Sequence, residues 1–139
     1  MILKSLQLKR FRNFVDETLQ IKNKFVIIVG ENGQGKTNLL ESIHFSSSGK
    51  SWRTKNHSEL IKLNEEDVYL CAEFIKDNLN KKIEILVNTD GEKSIRVNGK
   101  TLNSYHDLNN GFFGEINIVN FSPEDIFIVN GAPVDRRIF

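Results

Sequence analysis

Residues 25–38, "FVIIVGENGQGKTN", limit what this chain can become more than any other stretch. An unbroken apolar run rich in β-branched residues enters a loop with three glycines, and Lys36 and Thr37 follow. Strands without polar alternation suit positions covered on both faces, as in a parallel α/β sheet. Residues 30–37 match G-x-x-x-x-G-K-[ST] in full, with a strand expected before the loop and a helix after it. Phosphate oxygens are held at close range by backbone N–H groups, and a Cβ obstructs that approach. Gly33 and Gly35 remove the obstruction and permit positive φ. A helix starting near Lys36 aims unpaired N–H groups and its positive dipole end at an anion. Lys36 brings a compact charge for β- and γ-phosphates, and Thr37 offers a hydroxyl to a bridging Mg²⁺. The expected ATP contacts are therefore Gly30, Glu31, Asn32, Gly33, Gln34, Gly35, Lys36, Thr37 and Asn38, with Thr37 as the metal ligand. Taken singly, these glycines read as turn residues, Lys36 as a solvated cation and Thr37 as a helix N-cap. The joint spacing selects the phosphate loop.

The rest of the chain divides by its hydrophobic period. "ILKSLQL" (residues 2–8) and "VDETLQI" (15–21) read as strands joined by "KRFRNF". After the loop, Leu39, Leu40 and Ile43 stand at helical spacing and predict a helix ending near Gly49. A basic connection, "KSWRTKNHSELI", leads to a short helix that Ser58 can cap. From Asp67 the period becomes two: Val68, Leu70, Ala72 and Phe74, then Ile83, Ile85 and Val87, then Ile95 and Val97. Asp90-Gly91 and Asn98-Gly99 are hairpin signals, so residues 67–102 predict an antiparallel meander of three or four strands. A short helix is expected within residues 103–110. "INIVNF" (116–121) reads as a second buried strand, followed by a helical turn with Ser122 as N-cap, Pro123 at the first position, Asp125 closing a capping box and Gly131 ending it. The fold class is thus α/β, with a parallel-sheet core around the phosphate loop plus an antiparallel meander. Its segments are N-terminal strands in 1–29, loop and helix in 30–49, meander in 67–102, and strand with helical segment in 116–139.

Composition narrows the function classes. At 139 residues the chain is about one domain. Its close at "PVDRRIF" reads as a helix beginning, so it is expected to be part of a larger head domain. A formal charge of +1 excludes a strong overall nucleic-acid field but leaves room for local basic patches. Candidate phosphate-contacting clusters are Lys9, Arg10 and Arg12; Lys50, Arg53 and Lys55; and Lys81 with Lys82. Each run taken alone reads as a solvated face, and nothing resembles base recognition. Cys71 is the sole cysteine, a small core or strand residue or, as a weaker reading, a reactive thiol. A cytoplasmic setting fits, and no apolar run approaches the roughly 18 residues of a membrane span.

Residues 2–14 ("ILKSLQLKRFRNF"), 30–45 ("GENGQGKTNLLESIHF"), 49–54 ("GKSWRT") and 120–139 ("NFSPEDIFIVNGAPVDRRIF") together resemble the RecF family. These are bacterial recombination and gap-repair ATPases, relatives of Rad50 and SMC heads among the ABC-type ATPases. The resemblance implies a P-loop ATPase lobe in which two copies sandwich two ATP molecules, so an ATP-dependent homodimer. It also implies binding to double-stranded and gapped DNA, work with RecR and RecO to direct RecA, and a role in DNA repair and the SOS response. Carried over by position, Arg12 lies where related heads place a basic residue near the nucleotide; it reads equally as a surface arginine. Arg53 lies where some relatives present an arginine to the active site or DNA, against a solvated loop cation. Trp52 reads as a core or docking aromatic. "FSPED" lacks the glutamine the class usually places there. The signature motif, the Walker B acids and the switch histidine are absent from these residues. A weak ATPase is expected of the full-length dimer and none of this segment alone. The rival readings are a Rad50-, SMC- or OLD-like ATPase, a P-loop small-molecule kinase, and a module that binds nucleotide without using it.

Overall fold

Two tight turns with left-handed central residues set the register of two of the sheet's five strand pairings. In a computed structural model describing residues 1–121, Asp77 and Asn78 (φ 52° and 62°) join β3 (Asp67–Lys76) to β4 (Leu79–Asn88). Asn98 and Gly99 (φ 51° and 82°) join β5 (Lys93–Val97) to β6 (Lys100–Leu102). Such turns twist with the strands they connect, and Asn tolerates the left-handed region better than most residues. β1 (Ile2–Lys9) pairs with β2 (Asp16–Gln20) on one side and β3 on the other. The result is a six-stranded antiparallel sheet in the order β2-β1-β3-β4-β5-β6.

Alternation along the strands puts one face in the core. Val68, Leu70, Ala72, Phe74, Ile83, Ile85, Val87, Ile95 and Val97 are all buried, as their period of two predicts. β1 needs a correction of phase to join them, because Leu3 and Leu6 are three apart. The register shifts between Leu3 and Ser5, leaving Lys4 as an extra residue. That bulge places Leu3, Leu6 and Leu8 opposite Phe74, Ala72 and Leu70, on the same face.

The helix α1 (Lys36–Ser48) covers this face and closes on Gly49, whose N–H donates to Phe45 O at 2.8 Å. Its end falls where the sequence places it, but its buried stripe differs. Leu39, Ser42, Phe45, Ser46 and Ser47 face inward, while Leu40 is exposed. A serine-rich stripe can be buried because each hydroxyl finds a carbonyl within the helix: Ser42 donates to Leu39 O and Ser46 to Ile43 O, both at 2.6 Å, and Ser47 to His44 O at 2.7 Å. The short helix of the basic connection is a 3₁₀ turn (His57–Leu60), and Asn56, not Ser58, caps it by accepting from Ser58 N. Here an extended residue two places before Ser58 carries the better acceptor. α2 (Tyr105–Gly111) is capped by Ser104 and Asp107 in a reciprocal box.

Two expected strands do not form. Residues 25–29 pair with nothing in the sheet, and Phe25, Ile27 and Val29 are 78%, 71% and 84% exposed. In residues 116–121 Ile116 reaches the core, yet Val119 is 97% exposed and no strand forms. A strand covered on both faces needs neighbours, and the described residues supply none to either run. The sheet they assemble is antiparallel throughout, so the parallel core expected around the loop is not among them. Ser122, Pro123, Asp125 and Gly131 lie outside the described residues.

The two faces of β4 give a direct test. Ile85→Ala in the intact protein is expected to cost about 2–5 kcal/mol through the cavity it leaves. Leu86→Ala, on the opposite and half-exposed face, is expected to stay within about 0.5–1 kcal/mol. Urea unfolding of both variants separates them, and equal losses would contradict the assigned face.

Candidate phosphate-binding loop and its buried anchor

The start of α1 departs from ordinary helix chemistry. Its N-cap is Gly35 (φ 101°), no side chain caps the first turn, and that turn holds no acidic residue. Most helices satisfy these N–H groups with Ser, Thr, Asp or Asn. Here they stay available at the positive end of the helix dipole, which favours an anion. Gly33 (φ 82°) leaves open space on the loop's side, since a Cβ built there meets nothing within 4 Å. Gly35 is a glycine for a further reason: a Cβ would come within 2.6 Å of Asn13 Nδ2. The Lys36 ammonium sits across the loop, donating to Gly30 O at 2.8 Å and Glu31 O at 2.7 Å. Gln34 Oε1 accepts from Glu31 N at 3.2 Å. Residues 30–34 and Thr37 are exposed. A glycine-bearing loop, uncapped amides, one ammonium and one free-facing hydroxyl thus share one surface.

A second cluster stands directly behind the loop. Asn13 Nδ2 donates to Gln34 O at 3.2 Å and Asn38 Nδ2 to Asn13 Oδ1 at 2.8 Å. Asn38 Oδ1 in turn accepts from Arg53 Nη1 at 2.7 Å. Arg53 also reaches Glu41 Oε2 at 3.2 Å. Arg12 grips the same carboxylate with two bonds, Nη2 to Oε1 at 2.8 Å and Nε to Oε2 at 3.1 Å, and donates to Glu59 O at 2.7 Å. Ser51 Oγ donates to Glu41 Oε1 at 2.6 Å. Glu41 is fully buried. Burial works to raise its pKa, but the hydrogen bonds from Arg12 and Ser51 and the charges of Arg12 and Arg53 outweigh it and hold the carboxyl below its ordinary range.

The approach of Arg12 depends on unusual backbone. Arg10 and Arg12 both have φ 54°, a conformation that costs roughly 1–3 kcal/mol per non-glycine residue. Three contacts hold it. Phe11 is fully buried between them and bridges to Ile61, Arg12 N donates to Leu60 O at 2.7 Å, and Lys62 N donates to Arg10 O at 2.8 Å.

The structure therefore brings Arg12, Arg53 and Asn38 together, but on Glu41 and Asn13 rather than on the open side of the loop. Sequence reasoning missed Glu41 and Asn13. Glu41 stands one turn beyond Thr37 in a helix whose polar positions read as solvent-facing. The available signal was two arginines, in "FRNF" and "SWRT", on either side of a helix whose single acid is Glu41. Trp52 packs edge-on against His44 with ring centres 5.0 Å apart. Cys71 is buried in β3 on the face opposite the core, beside Tyr69 and Glu84, and burial raises its thiol pKa. Most of the basic clusters are paired: Lys9 with Asp16, Arg10 with Asp67, Lys82 with Glu84 and Lys81 with Glu115. Lys50 and Lys55 have no carboxylate partner among the described residues. No described helix is long and apolar enough to cross a membrane.

An uncapped helix start behind a glycine loop, carried beside an antiparallel sheet, is the arrangement of a P-loop head fold. Residues 2–120 match the RecF/RecN/SMC N-terminal domain family, and the chain belongs to that family. It is 42% identical over its whole length to the DNA replication and repair proteins RecF of Clostridium novyi (strain NT) and Clostridioides difficile (strain 630). It spans 37% and 36% of those relatives, a little over a third of their length. A solved structure of the recombination mediator protein RecF with ATP, from the RecFOR pathway, superposes with TM-score 0.84 at 39% identity, covering 99% of this chain and 36% of that one. The SMC head domain from Thermotoga maritima shares the fold, with TM-score 0.69 at 22% identity over 95% of this chain and 52% of that one.

Glu41→Gln keeps the shape of the anchor but removes its charge. Breaking a buried pair of this kind costs about 3–5 kcal/mol. Because the folded pKa is depressed, Glu41 stabilises the fold above the ordinary carboxylate pKa, and this contribution is lost as pH falls through the folded value. The gap between wild type and variant, measured by urea unfolding, is therefore expected to be wide at neutral pH and to narrow below about pH 4. A gap that does not change with pH would show that the charge is not what matters.

Proposed function

We propose that this chain carries the ATP-binding surface of a RecF-type head, which uses nucleotide to dimerise and engage DNA. The observation carrying the proposal is the uncapped start of α1, with Lys36 lying across a loop of exposed backbone. Backbone N–H groups of residues 33–37 bind the phosphates, and Lys36 leaves the carbonyls of Gly30 and Glu31 for β- and γ-phosphate oxygens. Hydrogen bonds to a charged group are worth roughly 1.5–3 kcal/mol each, so that exchange is close to balanced for the ammonium. The triphosphate adds its contacts to the helix amides on top of it. Thr37, exposed in the first turn, suits a single Mg²⁺ ligand. When bound, Mg²⁺ neutralises charge between the phosphates. Glu41 holds Arg12 and Arg53 behind the loop and fixes its back wall through Asn38 and Asn13.

The identity to RecF proteins and the likeness to RecF with ATP support the wider reading. In it, the ATP-bound homodimer binds double-stranded and gapped DNA in DNA repair, acting with RecR and RecO to help load RecA. The six-stranded antiparallel sheet and the RecF-level identity weigh against a small-molecule kinase. Hydrolysis needs a positioned water and a metal held from two sides. The residues described provide the cradle and one metal hydroxyl only.

Lys36→Ala in the intact protein is expected to weaken ATP binding by at least about 100-fold while leaving thermal unfolding nearly unchanged; isothermal calorimetry measures the first. Unchanged ATP affinity contradicts the assignment. The isolated 139-residue chain is expected to release no phosphate from ATP above background, and steady turnover by it would refute the division of labour.

A further inference from the structure

The far end of α1 holds a second basic site, separate from the phosphate loop. A cavity of about 260 Å³ lies where the helix ends, lined by Lys50, Ser51, Thr54, Lys55, His57 and Lys93. No carboxylate lines it. Lys93 turns its ammonium onto Gly49 O at 2.6 Å, so it answers the negative end of the helix dipole. Lys50 and Lys55 are exposed and have no such task. Lys50 acts on Lys93: burial, and then this neighbouring charge, lower the Lys93 pKa. His57 is held against Phe45, ring centres 5.7 Å apart, with its pKa lowered by burial and then by Lys93. Like charges gathered without a counter-ion repel one another, and an anion placed among them relieves that repulsion.

Thirteen helical residues separate Gly35 of the loop from Gly49, which meets the Lys93 wall of the cavity. At about 1.5 Å per residue the helix is roughly 20 Å long, so the Lys93 side of the cavity stands well away from the loop, while its Ser51 side reaches back to Glu41. A polynucleotide backbone presents phosphates at repeated intervals and has the reach. We propose that the cavity seats a backbone phosphate of DNA, with Lys50 and Lys55 as its mobile contacts and His57 as a hydrogen-bonding wall. This rests on the DNA-binding reading above and gives it a location. It also separates Arg53 from its sequence neighbours, because Arg53 is held on Glu41 while Lys50 and Lys55 face the cavity.

The test uses the intact protein with a gapped duplex, comparing wild type with the Lys50→Gln/Lys55→Gln double variant across a salt series. Both lysines are exposed, so the variant should fold and bind ATP as wild type does. The slope of log affinity against log salt is expected to become shallower by about 0.9, the change for one phosphate contact removed. Amine-acetylation footprinting provides the second arm. DNA is expected to protect Lys50 and Lys55, whereas inorganic phosphate or ATP alone is not. Wild-type DNA binding with an unchanged slope in the variant overturns the site and leaves the DNA-binding reading intact. Protection by inorganic phosphate but not by DNA also overturns it. Failure of wild type to bind DNA at any salt overturns both.

Discussion

The pairing of one buried carboxylate with two arginines holds the loop region together. Glu41 has no contact with solvent, and Arg12, Arg53 and Ser51 all donate to it. A lone ionised carboxylate at that depth would be costly, so the three donors and the carboxylate depend on each other. The anchor sits one helical turn below the phosphate loop. Through Asn38 and Asn13 it continues as hydrogen bonds to Gln34 O, so the loop's back wall is tied to residues from three separate segments. The strained backbone at Arg10 and Arg12 belongs to the same arrangement, since it aims Arg12 at Glu41.

The α1 helix then works as a rod with two chemically opposite ends. Its start has unsatisfied N–H groups and lies beside Lys36. Its finish has carbonyls answered by Lys93, with two further lysines alongside. The middle of the rod is fixed to the sheet by Leu39 and Phe45 and by serines whose hydroxyls are satisfied internally. A rigid element of this kind can hold a nucleotide at one end and a polynucleotide phosphate at the other at a constant separation. On this account the two ligands share an element without competing for residues.

Much of this was legible in the sequence, and the misses have physical causes. The meander was readable because its faces alternate cleanly, from Val68 through Val97, and because Asn98-Gly99 demands one turn type. The loop and the helix after it were readable because Gly33 and Gly35 stand at positive φ and α1 begins at Lys36. The bulge at Lys4 was not, because it corrects a phase error that local pattern cannot reveal. Residues 25–29 have the composition of a buried strand, but burial depends on neighbours that local composition does not name. Glu41 escaped notice for the opposite reason. Its partners lie 29 and 12 residues away, and an acid on a helix ordinarily faces water.

The central claim is that the amides at the start of α1 and the Lys36 ammonium hold a triphosphate while the Glu41 anchor stays in place behind them. A structure of the intact protein with Mg²⁺ and a non-hydrolysable ATP analogue tests it most directly. The account predicts the Lys36 ammonium on β- and γ-phosphate oxygens, released from the carbonyls of Gly30 and Glu31, with Arg12 still paired to Glu41. A nucleotide bound elsewhere, with Lys36 still on those two carbonyls, would contradict it.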